Sequence, residues 1–156
     1  MKARLDFRKA SPPGAKAIAE LHAFVHKCGL EQTLLELVKL RASQINGCAH
    51  CIDMHTKELR ADGESEQRLY LLDAWRESPF YSDRERAALA WTEALTLVTE
   101  GHVPDEVYDE AHAQFSEEEL VNLALAIVAI NGANRLNIAF RTIPGSYRPR
   151  ARRAAG

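Results

Sequence analysis

The chain has 156 residues, 27% of them charged and 46% hydrophobic, with a formal net charge of -2. That length fits one domain able to bury about two thirds of its unfolded surface, and so small a net charge supplies no field for nucleic acid or an acidic membrane surface. The opening MKARLDFRKASPPG is charged and then turn-forming, unlike a signal region, and the longest apolar run, Leu123 to Ile130, falls far short of the roughly 18 residues of a membrane span, so a soluble cytoplasmic protein is expected.

The expected elements are helical throughout. Pro12-Pro13-Gly14 opens a helix whose apolar residues Ile18, Leu21, Phe24, Val25 and Cys28 recur at helical spacing until Gly29. His22 and His26 lie one turn apart on it, but nothing near them in sequence completes a site, and they read as core-edge or surface histidines. Cys28 follows the apolar stripe and reads as a buried free thiol without a function. A second helix over 31–44 carries Glu36 among Leu34, Leu35, Leu37, Val38 and Leu40. Asn46-Gly47 turns the chain into a third, from about Cys48 to Ala61, stopped by Gly63.

A fourth helix is expected over Glu64 to Glu77, with Trp75 as a core or interface aromatic, ending near Ser78-Pro79. Ser82-Asp83-Arg84-Glu85 reads as a capping box for a fifth, which carries Trp91 and runs towards Gly101. Pro104 starts a sixth, to about Phe115, and Ser116 with Glu119 caps a seventh that reaches at least Ile130, or Phe140 with a break near Asn131-Gly132. No stretch alternates long enough for a sheet. The segment VNLALAIVAI is apolar on every face, which favours partial burial between subunits. After Pro144-Gly145 the chain is arginine-rich with nothing to bury, so 146–156 reads as a disordered basic tail. The fold expected for 1–156 is thus one all-α domain, an oligomeric helical bundle of about six or seven helices.

The concentrated chemistry lies between Glu36 and His55. Cys48 and Cys51 are expected on the first turns of their helix, where free N–H groups and the helix dipole make a thiol more acidic than the roughly 8.5 of free cysteine. Their i,i+3 spacing puts the Cα atoms about 5–6 Å apart and permits a disulfide. Cys51 and His55 are i,i+4 on one face, so the imidazole can reach that sulfur and take its proton. His50, beside the pair, is either a hydrogen-bond partner of a thiolate or simply exposed. Two cysteines at CxxC spacing and one left over fit a reducing compartment in which the pair is chemical and not structural. Zinc held by Cys48, Cys51, His55 and either His50 or Glu36 is a weaker reading, because ligands within eight residues of one helix tie little of the chain together. No serine-hydrolase elbow, Walker loop or dinucleotide fingerprint is present.

Glu36, eleven residues, Cys48-x-x-Cys51, three residues and His55 resembles the motif of the alkylhydroperoxidase D and carboxymuconolactone decarboxylase family, in its peroxidase branch. Ser43-Gln44-Ile45-Asn46-Gly47-Cys48 and Asn134-Arg135-Leu136-Asn137-Ile138 resemble that branch too, and the likeness extends roughly from residue 15 to residue 145. The decarboxylase branch lacks the cysteine pair. The resemblance implies a homotrimer or a dimer of trimers that reduces hydroperoxides without metal, flavin or haem. Cys51 is then the peroxidatic cysteine, activated by His55 with Glu36 behind it, and Cys48 resolves it as a disulfide. An external dithiol or redox protein restores the pair, attacking at Cys48 as the exposed first-turn sulfur. Two other readings stay open: a disulfide-exchange adaptor serving a separate peroxiredoxin, and a zinc-stabilised helical scaffold.

Overall fold

The computed structural model describes residues 2–149, and among these it holds eight α-helices, two 3-10 segments and no strand. The helices are α1 (Phe7–Ala10), α2 (Pro12–Val25), α3 (Gln32–Asn46), α4 (Ala49–Ala61), α5 (Glu66–Leu71), α6 (Asp83–Thr96), α7 (Asp105–Gln114) and α8 (Glu117–Ala139), with 3-10 turns at Leu72–Glu77 and Val98–Glu100. Helix α3 is the centre of the bundle, packing against α4, α6 and α8. Its Leu34, Leu35 and Val38 enter one core cluster with Val25, Phe115, Leu123 and Ile127, while Leu37 and Leu40 enter a second with Leu59, Leu72, Trp75 and Leu89. One helix apolar on two sides therefore joins both halves of the core, and its remaining side is free to carry Glu36 and Lys39.

Local chemistry accounts for most of the helix ends. Ser82 and Ser116 each accept from the backbone N–H three residues on, at 3.3 Å, while Glu85 and Glu119 return a bond to the cap N–H at 2.8 Å, so both expected capping boxes form. Helix α2 stops at Val25, three residues before the expected end. The chain tightens there through Lys27 N–H to the Phe24 carbonyl and turns at Gly29, whose φ of 94° an L side chain would oppose. The expected fourth helix is α5 followed by a 3-10 turn. This tighter winding brings the Trp75 indole N–H to Glu93 Oε1 at 2.8 Å. Helix α1 was not anticipated, since four residues carry no periodicity; its signal is Asp6, whose carboxylate accepts from the N–H groups of Arg8 and Lys9.

Helix α8 runs unbroken for 23 residues, so the expected break at Asn131-Gly132 does not occur. A Cβ at Gly132 would lie 3.7 Å from Ile18, so this position marks close contact with α2. Asn131 donates to Thr96 and to the Ile127 carbonyl, Asn134 donates to Ser43, and Asn46 donates to both Asn131 and Asn134 at 2.9 Å. By length and composition α8 could cross a membrane, yet its buried asparagines and its packing against α2, α3 and α6 make it the core helix of a bundle. It is not buried on every face. Leu123, Ala126, Ile127 and Ile130 point inward, whereas Val121 and Val128 are 60% and 58% exposed.

The expected tail divides at the limit of description. Residues 150–156 lie outside the described residues, whereas Tyr147 is tied down: its hydroxyl donates to Glu58, and Lys57 donates to the carbonyls of Gly145 and Tyr147 at 3.3 Å. Asp53 completes this strap by accepting from Gly145 N–H at 2.9 Å.

Candidate active site

The site is built on the α3–α4 hairpin. Gly47 ends α3 in the left-handed region with φ 67°, and the Cys48 N–H turns back to the Ser43 carbonyl at 3.0 Å. Any other residue at Gly47 would be strained. Cys48 is then the extended N-cap of α4 and Cys51 its third residue, with Cα atoms 5.3 Å apart, and the two are joined in a disulfide. Both sulfurs thus sit where the unpaired N–H groups of the helix start are concentrated.

Glu36 and His55 face each other across the hairpin. His55 Nδ1 lies 2.7 Å from Glu36 Oε2, and Lys39 Nζ donates to the other carboxylate oxygen at 2.8 Å. All three side chains are largely buried. Burial by itself would raise the Glu36 carboxyl, but His55 and Lys39 override it and hold Glu36 down at about 2. An ionised carboxylate only accepts, so Nδ1 of His55 carries the shared proton, and in the neutral ring Nε2 is left with a lone pair. That Nε2 is buried and has no hydrogen-bond partner among the described residues. It belongs to a side chain one turn along the same face from Cys51, which is the placement a base needs.

A cavity of about 1090 Å³ opens over this group. Helix α2 supplies an apolar wall with Ile18, Ala19 and Ala23, α8 supplies Leu136 and Asn137, and Cys51, His55, Glu36 and Lys39 lie along the cavity as well. His22, half-buried at the edge of the core, lines it too. Burial lowers the His22 imidazole, Lys39 and His55 lower it further, and Glu36 acts against them. Neither His22 nor Lys39 was singled out from the sequence as part of the site. Both lie on helices read there for apolar periodicity, and only the packing of α2 against α8 brings His22 to the cavity that Glu36 also lines. His26 lines the same cavity farther along α2.

His50 is half-buried beside the pair, its Nδ1 3.3 Å from the Ile143 carbonyl, so of its two expected settings it takes a bonded one, though with backbone and not with sulfur. Burial pushes its imidazole below the ordinary range, with the Ile143 carbonyl acting against that. The expectation of an exposed Cys48 is corrected. Cys48 and Cys51 are each 1% exposed, and it is Cys51, not Cys48, that lines the cavity. The reason is positional: Cys48 is the N-cap at the very start of α4, while Cys51, in the first turn, meets Asn137 of α8 at the cavity. Cys28 is partly buried and packs against the first core cluster.

An all-helical bundle with a CxxC disulfide at the start of one helix and a Glu–His pair behind it defines a class of thiol-bearing helical proteins. The chain belongs to the carboxymuconolactone decarboxylase family, whose model matches residues 12–94, from α2 through most of α6. It is 43% identical over 139 residues to the protein YdfG of Bacillus subtilis (strain 168), spanning 89% of this chain and 95% of that one. It is also similar in fold to a crystal structure from Agrobacterium tumefaciens, of a protein of unknown function named as a candidate antioxidant defence protein AhpD: 46% identity, a TM-score of 0.90, and coverage of 94% of this chain and 100% of that. The debrominase Bmp8 shares the fold at 24% identity, with a TM-score of 0.75 over 86% of this chain and 73% of its own.

Proposed function

We propose that the protein is a cytoplasmic, thiol-dependent peroxidase that reduces hydroperoxides through Cys48 and Cys51, with Glu36 and His55 as its proton relay. The observation that carries this reading is the buried Glu36–His55 pair at 2.7 Å, set on one helical hairpin with a disulfide whose Cys51 lines a cavity. In the reduced protein, His55 Nε2 takes the Cys51 proton, and the thiolate attacks the distal oxygen of R–O–O–H. The O–O bond breaks, sulfur becomes a sulfenic acid, and the proton on His55 passes to the departing alkoxide to give R–OH. Cys48 then attacks the sulfenic sulfur, releasing water and forming the Cys48–Cys51 disulfide. Two thiols are oxidised for each hydroperoxide reduced. An external dithiol returns both electrons; with Cys51 and not Cys48 lining the cavity, Cys51 is the sulfur it meets there.

The apolar strip of Val121, Leu125 and Val128 on α8 supports a homo-oligomer, a trimer or hexamer in keeping with the family resemblance.

The test is to add one equivalent of cumene hydroperoxide to reduced protein and count thiols, then to follow peroxide consumption with dihydrolipoamide as reductant. Loss of two thiols per chain and sustained turnover are expected. Thiols that exchange with a partner's disulfide but do not react with peroxide would replace this reading with the adaptor one.

A further inference from the structure

The side chain of Asn137 is buried at the α8 wall of the cavity, and its amide has a definite orientation. Nδ2 donates to the Ala133 carbonyl one turn back at 2.9 Å, and its second hydrogen is directed at Cys51 Sγ, 3.6 Å away. Turning the amide over would set Oδ1 against the Ala133 carbonyl oxygen, so the donor face is fixed towards sulfur. Oδ1 is buried and has no hydrogen-bond partner among the described residues. A buried acceptor left unpaired costs free energy, so folding alone gives no reason for an amide here in place of a leucine.

We propose that Asn137 is a positioning residue for Cys51: its amide N–H holds the sulfur towards the cavity and stabilises it as a thiolate, so that the nucleophile is Cys51. Against a disulfide sulfur, a weak acceptor, the contact contributes little. Once the pair is reduced and Cys51 ionises, the same N–H becomes a charge-assisted donor in a buried setting, where such bonds are at their strongest. The site then acts on Cys51 from two helices. His55 on α4 receives the proton, and Asn137 on α8 stabilises the charge left behind. The inference rests on Cys48–Cys51 being a redox pair, but not on the identity of the oxidant.

The test uses the full chain with Cys28→Ser, so that only the pair is followed. In reduced protein, the rate of iodoacetamide alkylation at Cys51 is measured against pH by peptide mass spectrometry, and the dithiol–disulfide equilibrium is measured against dithiothreitol. A donor to an ionised sulfur is worth about one to two powers of ten. Asn137→Leu should therefore raise the apparent pKa of Cys51 by about one to two pH units and shift the equilibrium about tenfold or more towards the disulfide above that pKa. Thermal unfolding of the oxidised variant should be little changed. Asn137→Asp, nearly isosteric, should raise the pKa at least as far by placing a carboxylate at the sulfur, and it decides the matter if the leucine variant does not fold. An unchanged Cys51 profile in the folded variants overturns the proposal. Wild-type protein whose Cys51 titrates as described but which consumes no hydroperoxide would remove the peroxidase reading and leave this one standing.

Discussion

His55 Nδ1 and Glu36 Oε2 meet at 2.7 Å across two helices, but Glu36 does not serve His55 alone: Lys39 holds its second oxygen at 2.8 Å. The carboxylate is therefore partly neutralised before it acts on the imidazole. His55→Gln should lower peroxidase activity at neutral pH by about 10²–10⁴-fold, the usual value of a positioned base, with partial recovery as pH rises and Cys51 ionises unaided. Glu36→Gln should cost less activity, because the imidazole remains. Combining the two should be less than additive, since both act on one proton transfer. Lys39→Met should leave Glu36 wholly to His55 and so move the ascending limb of the pH–rate profile to higher pH, whereas Glu36→Gln should move it to lower pH. Steady-state rates across pH for the single and double variants check all four.

Acid should unfold the oxidised protein partly through Glu36. Its carboxyl stands at about 2 in the folded chain against an ordinary 4.5. A depressed carboxylate pKa contributes stability that is complete above about 4.5 and is lost as pH falls from about 5 through 2. The amount is of order 3 kcal/mol. Glu36→Gln should be less stable at pH 7, where it leaves Lys39 buried without its counter-charge, and should lose less on going from pH 5 to pH 3. Urea midpoints of the two proteins at both values measure it; equal acid slopes would refute the assignment.

Subunit contacts should follow the outer strip of α8 and not its whole surface. Ala126, in the middle of the segment expected at an interface, is fully buried within the chain, so Ala126→Glu should prevent folding outright. Val121→Glu with Val128→Glu should keep the helical circular-dichroism signal and lower the sedimenting mass. A wild-type monomer at micromolar concentration would refute the oligomer.

Reduced protein should be alkylated at Cys51 before Cys48, because Cys51 lines the cavity and Cys48, though equally buried, does not. Oxidation should consume these two thiols and leave Cys28 free. Peptide mapping that links Cys28 to either motif cysteine, or finds Cys48 labelled first, would contradict the geometry.

The sequence carried the hairpin well because spacing on a helix is nearly a coordinate. Glu36 in the first half of α3, Gly47 at the turn, Cys48 at the N-cap of α4 and Cys51 and His55 along it leave little choice in how they meet once the two helices fold back. It carried less where a residue acts through packing between distant helices. His22 is 14 residues from Glu36 and Asn137 is 86 from Cys51, and neither periodicity nor motif says which turn of α2 or α8 will face the sulfur. The run Asn131-Gly132 was misleading for a related reason. Asparagine and glycine mark turns when solvated, but here the amide is satisfied by Thr96, Ile127 and Asn46 and the glycine admits Ile18, so the signals of a break are those of tight packing. The 3-10 winding before Ser78 and the short α1 carry no pattern long enough to read.

Because both cysteines, His55, Glu36 and Lys39 all lie on one helix–turn–helix of some twenty residues, the redox parts form a cassette whose internal distances do not depend on the walls around it. Helices α2 and α8 supply those walls from separate parts of the chain, with Asn137 of α8 a wall residue that also touches the cassette, at Cys51. Substitutions at Ile18, Ala19, Ala23 or Leu136 can therefore reshape what the cavity admits without retuning the proton relay. Such an arrangement lets selection alter substrate preference and chemical reactivity as two separable traits.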